Sequence, residues 1–249
     1  MTKTNYVFKR VEKKFLINES TLSLFLADIT PYIKKDDFGQ YTICNIYYDT
    51  ADDLLIRKSI EKPVYKEKLR LRSYGVPNGN NTVFLEIKKK YNETVYKRRI
   101  SLALNEVIGY LSGESRPKKE SQILHEIDYF LKLYHPVPKL FIAYDRLAFS
   151  AIEDENLRIT VDSAIRSRNY DLSLCAGDYG DYLLNDDERL IEIKTGSSMP
   201  LWLTSALTKY AIYPVSFSKY GNIYKQNLQH PKSKSTNNVI HIQKLREAI

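Results

Sequence analysis

The sequence predicts an α+β fold built on a large antiparallel sheet or a closed barrel, with helices between groups of strands. Three observations carry that expectation. Segments of strand length alternate apolar and charged residues, as in "KLRLR" at 68–72, which is the two-residue period of a half-buried strand. Turn signals, "NGNN" at 78–81 and "YNE" at 91–93, separate three such segments at 64–74, 82–91 and 94–104, so these form an antiparallel meander. Apolar stripes of helical period fall between the strand groups, as in Ile123, Leu124, Ile127, Phe130 and Leu131.

Taken in order, residues 6–17 form a first strand, and Asn18 or Ser20 caps a helix over about 20–34 with Leu22, Phe25, Ile29 and Ile33 apolar. "YTICNIYYDT" at 41–50 is a strand, followed by a short helix over 51–58 that Asp49 is placed to cap. After the meander come helices at 104–112 and 120–134. Residues 137–152 and 157–169 form a hairpin around "EDEN", and 189–196 is the last strand. Helices over 200–211 and 219–228 complete a domain spanning 1–229, with Trp202 in the core beneath the first of them. "HPKSKSTNN" opens a linker and short C-terminal appendage at 230–249.

The 249 residues suffice for a sizeable core. A net charge of +8 points to a polyanionic partner, whether nucleic acid, phosphate-rich small molecules or an anionic membrane surface; a merely basic surface is the plainer alternative. Cys44 and Cys175 form no CxxC pair, which excludes a zinc ribbon or dithiol motif and points to a reducing compartment. There is no apolar signal-peptide core, and no apolar run of the roughly 18 residues that a membrane span needs, so the expectation is a cytoplasmic protein. Walker, dinucleotide, zincin and nucleophile-elbow motifs are missing, and "HEID" at 125–128 lacks the second histidine of a metalloprotease.

The charges fall in phase. Lys68, Arg70 and Arg72 share one strand face while Leu69 and Leu71 take the other. The same parity joins Arg10, Glu12 and Lys14; Glu86, Lys88 and Lys90; Lys97 and Arg99; Tyr144 and Arg146; Arg158, Thr160 and Asp162; and Glu192 and Lys194. For one strand, a solvated face with cross-strand ion pairs explains this. For the whole set, a plain solvent face would carry more neutral polar residues and a more even sign. If the sheet closes, these faces point inward. A lumen rich in cations with a few carboxylates then demands a polyanion, with the carboxylates holding a divalent metal, because buried unpaired charge is costly. Asp162 is suited either to a salt bridge with Arg158 or to the metal side, and Glu86 to pairing with neighbouring cations.

The motifs "RVEKKF", "KLRLRSYG", "FLEIKKK", "VYKRRISL", "AYDRLAF", "LRITVDSAI", "LIEIKTG" and "SFSKY" resemble, in order, those of the catalytic domain of the vacuolar transporter chaperone family and its bacterial relatives. That family belongs to the triphosphate tunnel metalloenzymes, which include CYTH-type triphosphatases and adenylate cyclases. The resemblance implies an eight-stranded antiparallel tunnel barrel with helices outside. It implies transfer of the terminal phosphoryl group of ATP to inorganic polyphosphate, with Mn²⁺ or Mg²⁺. By motif position, Lys14, Arg70, Arg72, Lys88, Lys97, Arg146, Arg158 and Lys194 would line the tunnel, joined by Lys219. Tyr144, Ser218, Lys68 and Arg99 would contact substrate, and Glu192 and Glu12 would hold the metal. Triphosphatase members open with E-x-E-x-K, whereas Arg10 replaces the first glutamate here, which weakens a two-metal hydrolytic reading. An inorganic or nucleoside triphosphatase, or a non-catalytic polyphosphate- or nucleic-acid-binding module, stays open; the Glu-x-Lys repeats weigh against a nucleic acid. Coupling to transport would need membrane-protein partners.

Overall fold

The computed structural model describes residues 11–229 apart from 93, 119 and 197. The order is β1 (Val11–Asn18), α1 (Glu19–Ile29), β2 (Ile33–Lys35), β3 (Tyr41–Asp49), α2 (Leu54–Ile60), β4 (Tyr65–Tyr74), β5 (Thr82–Tyr91) and β6 (Thr94–Ala103). There follow α3 (Leu104–Leu111), α4 (Gln122–Tyr134), β7 (Val137–Ala151), β8 (Arg158–Arg168), β9 (Asp181–Tyr182), β10 (Glu188–Thr195), α5 (Leu201–Lys209) and α6 (Lys219–Gln229). Local chemistry sets several boundaries. Asn18 caps α1, its side chain accepting from the Thr21 amide at 2.8 Å. Asp49 accepts from the amides of Leu55 (2.8 Å) and Ile56 (2.9 Å), so the end of β3 anchors the start of α2. The helix expected over 20–34 ends at Ile29; a single 3-10 turn carrying Pro31 follows, and Ile33–Lys35 pairs as β2. Residues 6–10 of the first expected strand and the 230–249 appendage lie outside the described residues.

All pairings are antiparallel, in the order β1-β10-β8-β7-β3-β4-β5-β6, with β2 added on β7 and β9 on β8. The expected eight-stranded closed barrel therefore needs correction. Eight strands make the continuous path of a ten-stranded sheet, and the end strands β1 and β6 share no ladder among the described residues. The free edge of β1 is taken by another segment. The Val215 amide donates to the Lys14 carbonyl at 2.7 Å, and Phe15 bridges Pro214. The sheet still curls on itself, since Lys88 of β5 feels the charges of Glu12 and Lys14 on β1 and Lys194 on β10. The result is an open-seamed cup.

The alternation in the sequence divides the two faces. On the convex side Leu69, Leu71, Leu85 and Ile87 pack under α3 and α4 with Val107, Leu124, Ile127 and Phe130. Phe15, Ile159, Ile191 and Ile193 pack under α1 and α5 with Leu22, Phe25 and Leu203. Each such side chain contributes about 1.5–3 kcal/mol by leaving water. Trp202 is half-buried at the edge of this second cluster, packed against it, and its ring stacks on Tyr32 at 4.8 Å. A third cluster lies inside the cup, where Tyr220 and Ile223 of α6 meet Ile43, Leu140, Ile142, Ile165 and Leu190. A bulge adds Ile165 to it. Ala164 adopts φ 47° where the β7–β8 register shifts, so Ile165 joins the inner cluster although Ile159 and Val161 face out.

Candidate functional site

The concave face of β4, β5 and β6 is a wall of cations. Register aligns Arg70 with Glu86 and Glu86 with Arg99; the next row is Lys68, Lys88 and Lys97, and beyond it Lys66 faces Lys90. Glu86 is 1% exposed and gathers its neighbours: Arg70 Nε at 2.5 Å, Lys97 Nζ at 2.9 Å and Arg72 Nε at 3.8 Å. Burial pulls the Glu86 carboxyl up, but Arg70, Arg72 and Lys97 outweigh it and hold it at about 2. Arg70 also donates to the Tyr47 hydroxyl (3.2 Å), and Arg72 donates to Asn45 Oδ1 (3.0 Å) and the Tyr144 hydroxyl (3.3 Å). In the lysine row Lys97 reaches back to Glu86, whereas Lys68 and Lys88 have no ion-pair partner among the described residues. Burial, with Lys66, Lys88 and Lys14 nearby, pushes the Lys68 ammonium down to about 8, and burial lowers Lys88 as well.

The facing arm, β1, β10 and β8, interleaves signs. Lys14 Nζ lies 3.5 Å from Glu12 and 3.4 Å from Glu192, and Lys194 Nζ lies 3.8 Å and 3.5 Å from the same two carboxylates. Asp162, fully buried, takes both Arg146 (2.6 and 2.7 Å) and Lys219 (2.5 Å). Lys219 also reaches Glu192 at 3.3 Å and sits 4.4 Å over the Tyr144 ring. Burial raises the Glu192 carboxyl, yet Lys219, Lys14, Lys194 and Arg146 together hold it well below the usual range. Burial and Glu192 raise Glu12, and Lys194, Lys14 and Lys88 bring it below its ordinary value.

No group of three or more His, Cys, Asp or Glu gathers among the described residues. Glu12 and Glu192, bridged by Lys14, are two hard oxygen donors, the number magnesium commonly takes from protein when phosphate oxygens complete its shell. Thr160 Oγ1, opposite Glu192 in the β8–β10 ladder, is buried with no partner and adds a third oxygen facing the same space. The donor set fits a divalent ion that arrives with phosphate.

The structure brings Lys14, Lys68, Arg70, Arg72, Lys88, Lys97, Arg99, Tyr144, Arg146, Glu12, Glu192, Lys194 and Lys219 to one concave surface. Arg158 sits at its margin, with a half-exposed side chain bound to Asp36. Ser218 starts α6, its hydroxyl accepting from the Gly221 amide at 3.2 Å; a Cβ at Gly221 would crowd that hydroxyl at the same distance. Sequence reasoning left out Asn45 and Tyr47, and put Thr160 on the inward face without giving its hydroxyl a role. The alternation of "YTICNIYYD" carries the first two, since Tyr41, Ile43, Asn45 and Tyr47 share a face. At one end of the cup, Lys62, Pro63, Val64, Lys66, Lys90, Asn92 and Ser216 line a pocket of about 430 Å³.

The VTC domain profile matches residues 9–227. The chain belongs to the VTC domain family. It is 27% identical over 220 residues to vacuolar transporter chaperone complex subunit 4 of Trypanosoma cruzi, covering 70% of this chain and 26% of that protein. It is 25% identical over 218 residues to the Trypanosoma brucei brucei subunit 4, covering 70% and 27%. The chain thus spans about a quarter of the length of the curated relatives it matches. The fold is similar to that of a putative adenylate cyclase from Bacillus halodurans, with TM-score 0.51, 15% identity and coverage of 84% of this chain and 93% of that one. It is equally similar to a putative adenylyl cyclase from Hippeastrum, described as having a dominant triphosphatase activity, with TM-score 0.52, 15% identity and coverage of 87% and 96%. These VTC and cyclase-like likenesses fit the antiparallel sheet with helices described above. Among the described residues, no helix is long and apolar enough to cross a membrane.

Proposed function

We propose that this VTC domain is a polyphosphate polymerase that moves the γ-phosphoryl group of ATP onto inorganic polyphosphate and releases ADP. The observation that carries the reading is the row Lys68–Lys88–Lys97, three cations side by side of which Lys97 alone reaches a carboxylate, Glu86 at 2.9 Å, among the described residues; Arg70, Arg72 and Arg99 flank it. Like charges so placed are relieved by a chain of phosphates. Phosphoryl transfer requires positioning and charge neutralisation more than covalent catalysis, so a cation wall suffices as machinery. The arginines match phosphate oxygens with two-point forks, and the lysines act as point charges. Lys14, Lys194 and Arg146 extend the grip on the facing arm, and Tyr144 orients a phosphate beside Arg72. Glu192 and Glu12 would hold Mn²⁺ or Mg²⁺, which when bound would neutralise charge on the phosphate oxygens. For that, Lys14, Lys194 and Lys219 would trade carboxylate for phosphate oxygens. The attacking phosphate is already anionic, so no strong general base is needed. The named relatives are subunits of a complex, and by likeness this domain would work beside membrane-protein partners.

The test supplies ATP, Mn²⁺ or Mg²⁺ and a short polyphosphate primer, and follows ADP, free phosphate and polymer together. The reading predicts ADP matched by polymer, with both lost in Glu192→Ala. Free phosphate without polymer would replace it with a triphosphatase. Tight polyphosphate binding that ignores EDTA, with no turnover, would leave a binding module.

A further inference from the structure

The two ends of the cup differ in chemistry. Tyr41, Tyr74 and Phe84 stand on three neighbouring strands, β3, β4 and β5. Their positions share the concave parity of Asn45, Arg72 and Glu86. Their rings form a continuous row, with Tyr41 to Tyr74 at 5.8 Å and Tyr74 to Phe84 at 5.6 Å, both edge-on. Tyr74 is 51% exposed, and neither it nor Phe84 joins any of the three apolar clusters among the described residues. Tyr41 leans on the inner cluster, and the Tyr74 and Phe84 rings that continue the row are not explained by core packing. It borders the guanidinium layer directly: Arg99 lies 4.8 Å over Phe84, and Arg72 pairs with Phe84 in register. At the far end of the same strands, Lys66 faces Lys90, and with Lys62 they edge the 430 Å³ pocket, which no aromatic residue lines. Lys66 and Tyr74 are eight residues apart on β4, or roughly 26 Å along an extended strand.

We propose that the Tyr41–Tyr74–Phe84 row is the nucleoside subsite, where the planar base of the donor nucleotide stacks while its phosphates run inward along Arg72, Arg99 and Arg70. This rests on the phosphoryl-transfer reading above and adds a direction to it. In-line displacement places the attacking and leaving oxygens on opposite sides of the transferred phosphorus. A nucleoside held at the aromatic end thus leaves the lysine end to the acceptor chain. Every base has a face that can stack, so this subsite holds nucleotides without strong base selection.

The experiment titrates the protein with a non-hydrolysable ATP analogue and, separately, with inorganic tripolyphosphate, in wild type, Tyr74→Ala and Tyr74→Phe. Tyr74 is half in solvent, so both variants should melt near wild type, which a thermal scan verifies. The expected result is analogue affinity about tenfold weaker in Tyr74→Ala, retained in Tyr74→Phe, with tripolyphosphate affinity unchanged in both. Equal weakening of both ligands, or no change in analogue affinity, overturns the subsite. If wild type binds tripolyphosphate but the aromatic variants do not separate the two ligands, only this inference falls. If wild type binds neither ligand, the phosphoryl-transfer reading falls with it.

Discussion

The two arms of the cup solve the same electrostatic problem differently. On β1, β10 and β8, carboxylates and cations alternate: Glu12, Glu192 and Asp162 each touch at least two of Lys14, Lys194, Lys219 and Arg146. On the concave face of β4, β5 and β6 one carboxylate, Glu86, serves Arg70, Arg72 and Lys97, and Lys68 and Lys88 of the next row have no ion-pair partner among the described residues. The first arm is close to internally neutral and offers oxygen donors. The second is left with excess positive charge that folding does not satisfy, and the cost is visible in the depressed ammonium of Lys68. Charge that folding leaves unsatisfied is where a ligand gains most. The comparison divides the labour: the cation wall grips phosphate, and the mixed arm orders it and can share a metal with it.

The largest effect should come from removing the one anion of the cation wall. Glu86→Ala strands Arg70 and Lys97 around an empty position, and breaking a buried pair in this way costs about 3–5 kcal/mol. Urea unfolding measures it, and saturating polyphosphate should restore much of the loss if phosphate can replace the carboxylate. The same group predicts a pH dependence. Its carboxyl sits at about 2 against an ordinary 4.5. The stabilisation is thus fully present above pH 4.5 and is lost as pH falls from 4.5 through 2. Unfolding curves of Glu86→Gln should lack that limb; parallel curves for wild type and variant would contradict the pairing.

A subtler effect sharpens the contrast between the arms. A phosphate chain against Lys68, now at about 8, should raise its ammonium toward the ordinary lysine range. Binding near pH 8.5 then takes up protons, and titrations in buffers of different ionisation heat should report the uptake. Burial lowers Lys97 to about 8 as well, so Lys68→Arg should remove part of the uptake, and Lys68→Arg with Lys97→Arg most of it, while keeping the charge. The smallest effect belongs outside the cup. Arg116→Ala removes contacts to Glu120 at 2.9 Å and Asp128 at 2.8 Å on the convex side and should change stability by about 1 kcal/mol and binding not at all.

Much of this was legible in the sequence because strands carry a period of two. The alternation of "KLRLR" and "FLEIKKK" already separates the leucines that pack under α3 and α4 from the cations of the wall. The capping roles of Asn18 and Asp49 were legible for the same local reason. Closure was not. Whether β1 pairs with β6 is decided by a contact between distant segments, and the 214–217 stretch that takes the β1 edge carries no strand signal because Pro214 interrupts it. Nor does alternation survive a bulge: at Ala164 the inward phase of Arg158, Thr160 and Asp162 breaks, which hid the place of Ile165 in the cluster that seats α6. Partnership was also invisible. Lys219 looked like a phosphate ligand, and in the fold it is first a counter-ion of Asp162 and Glu192.

The most direct test of the account is polyphosphate binding to the cation wall itself, measured by calorimetry at two salt concentrations for wild type, Lys88→Ala and Lys209→Ala. Lys88 has no ion-pair partner among the described residues, whereas Lys209 is an exposed lysine on α5 paired with Asp28 at 2.5 Å. The account predicts tight, salt-sensitive binding to wild type and Lys209→Ala, and binding weakened at least tenfold in Lys88→Ala, one to two charge-assisted contacts' worth. Equal affinity in all three proteins would place the polyanion elsewhere and contradict the assignment of the cup.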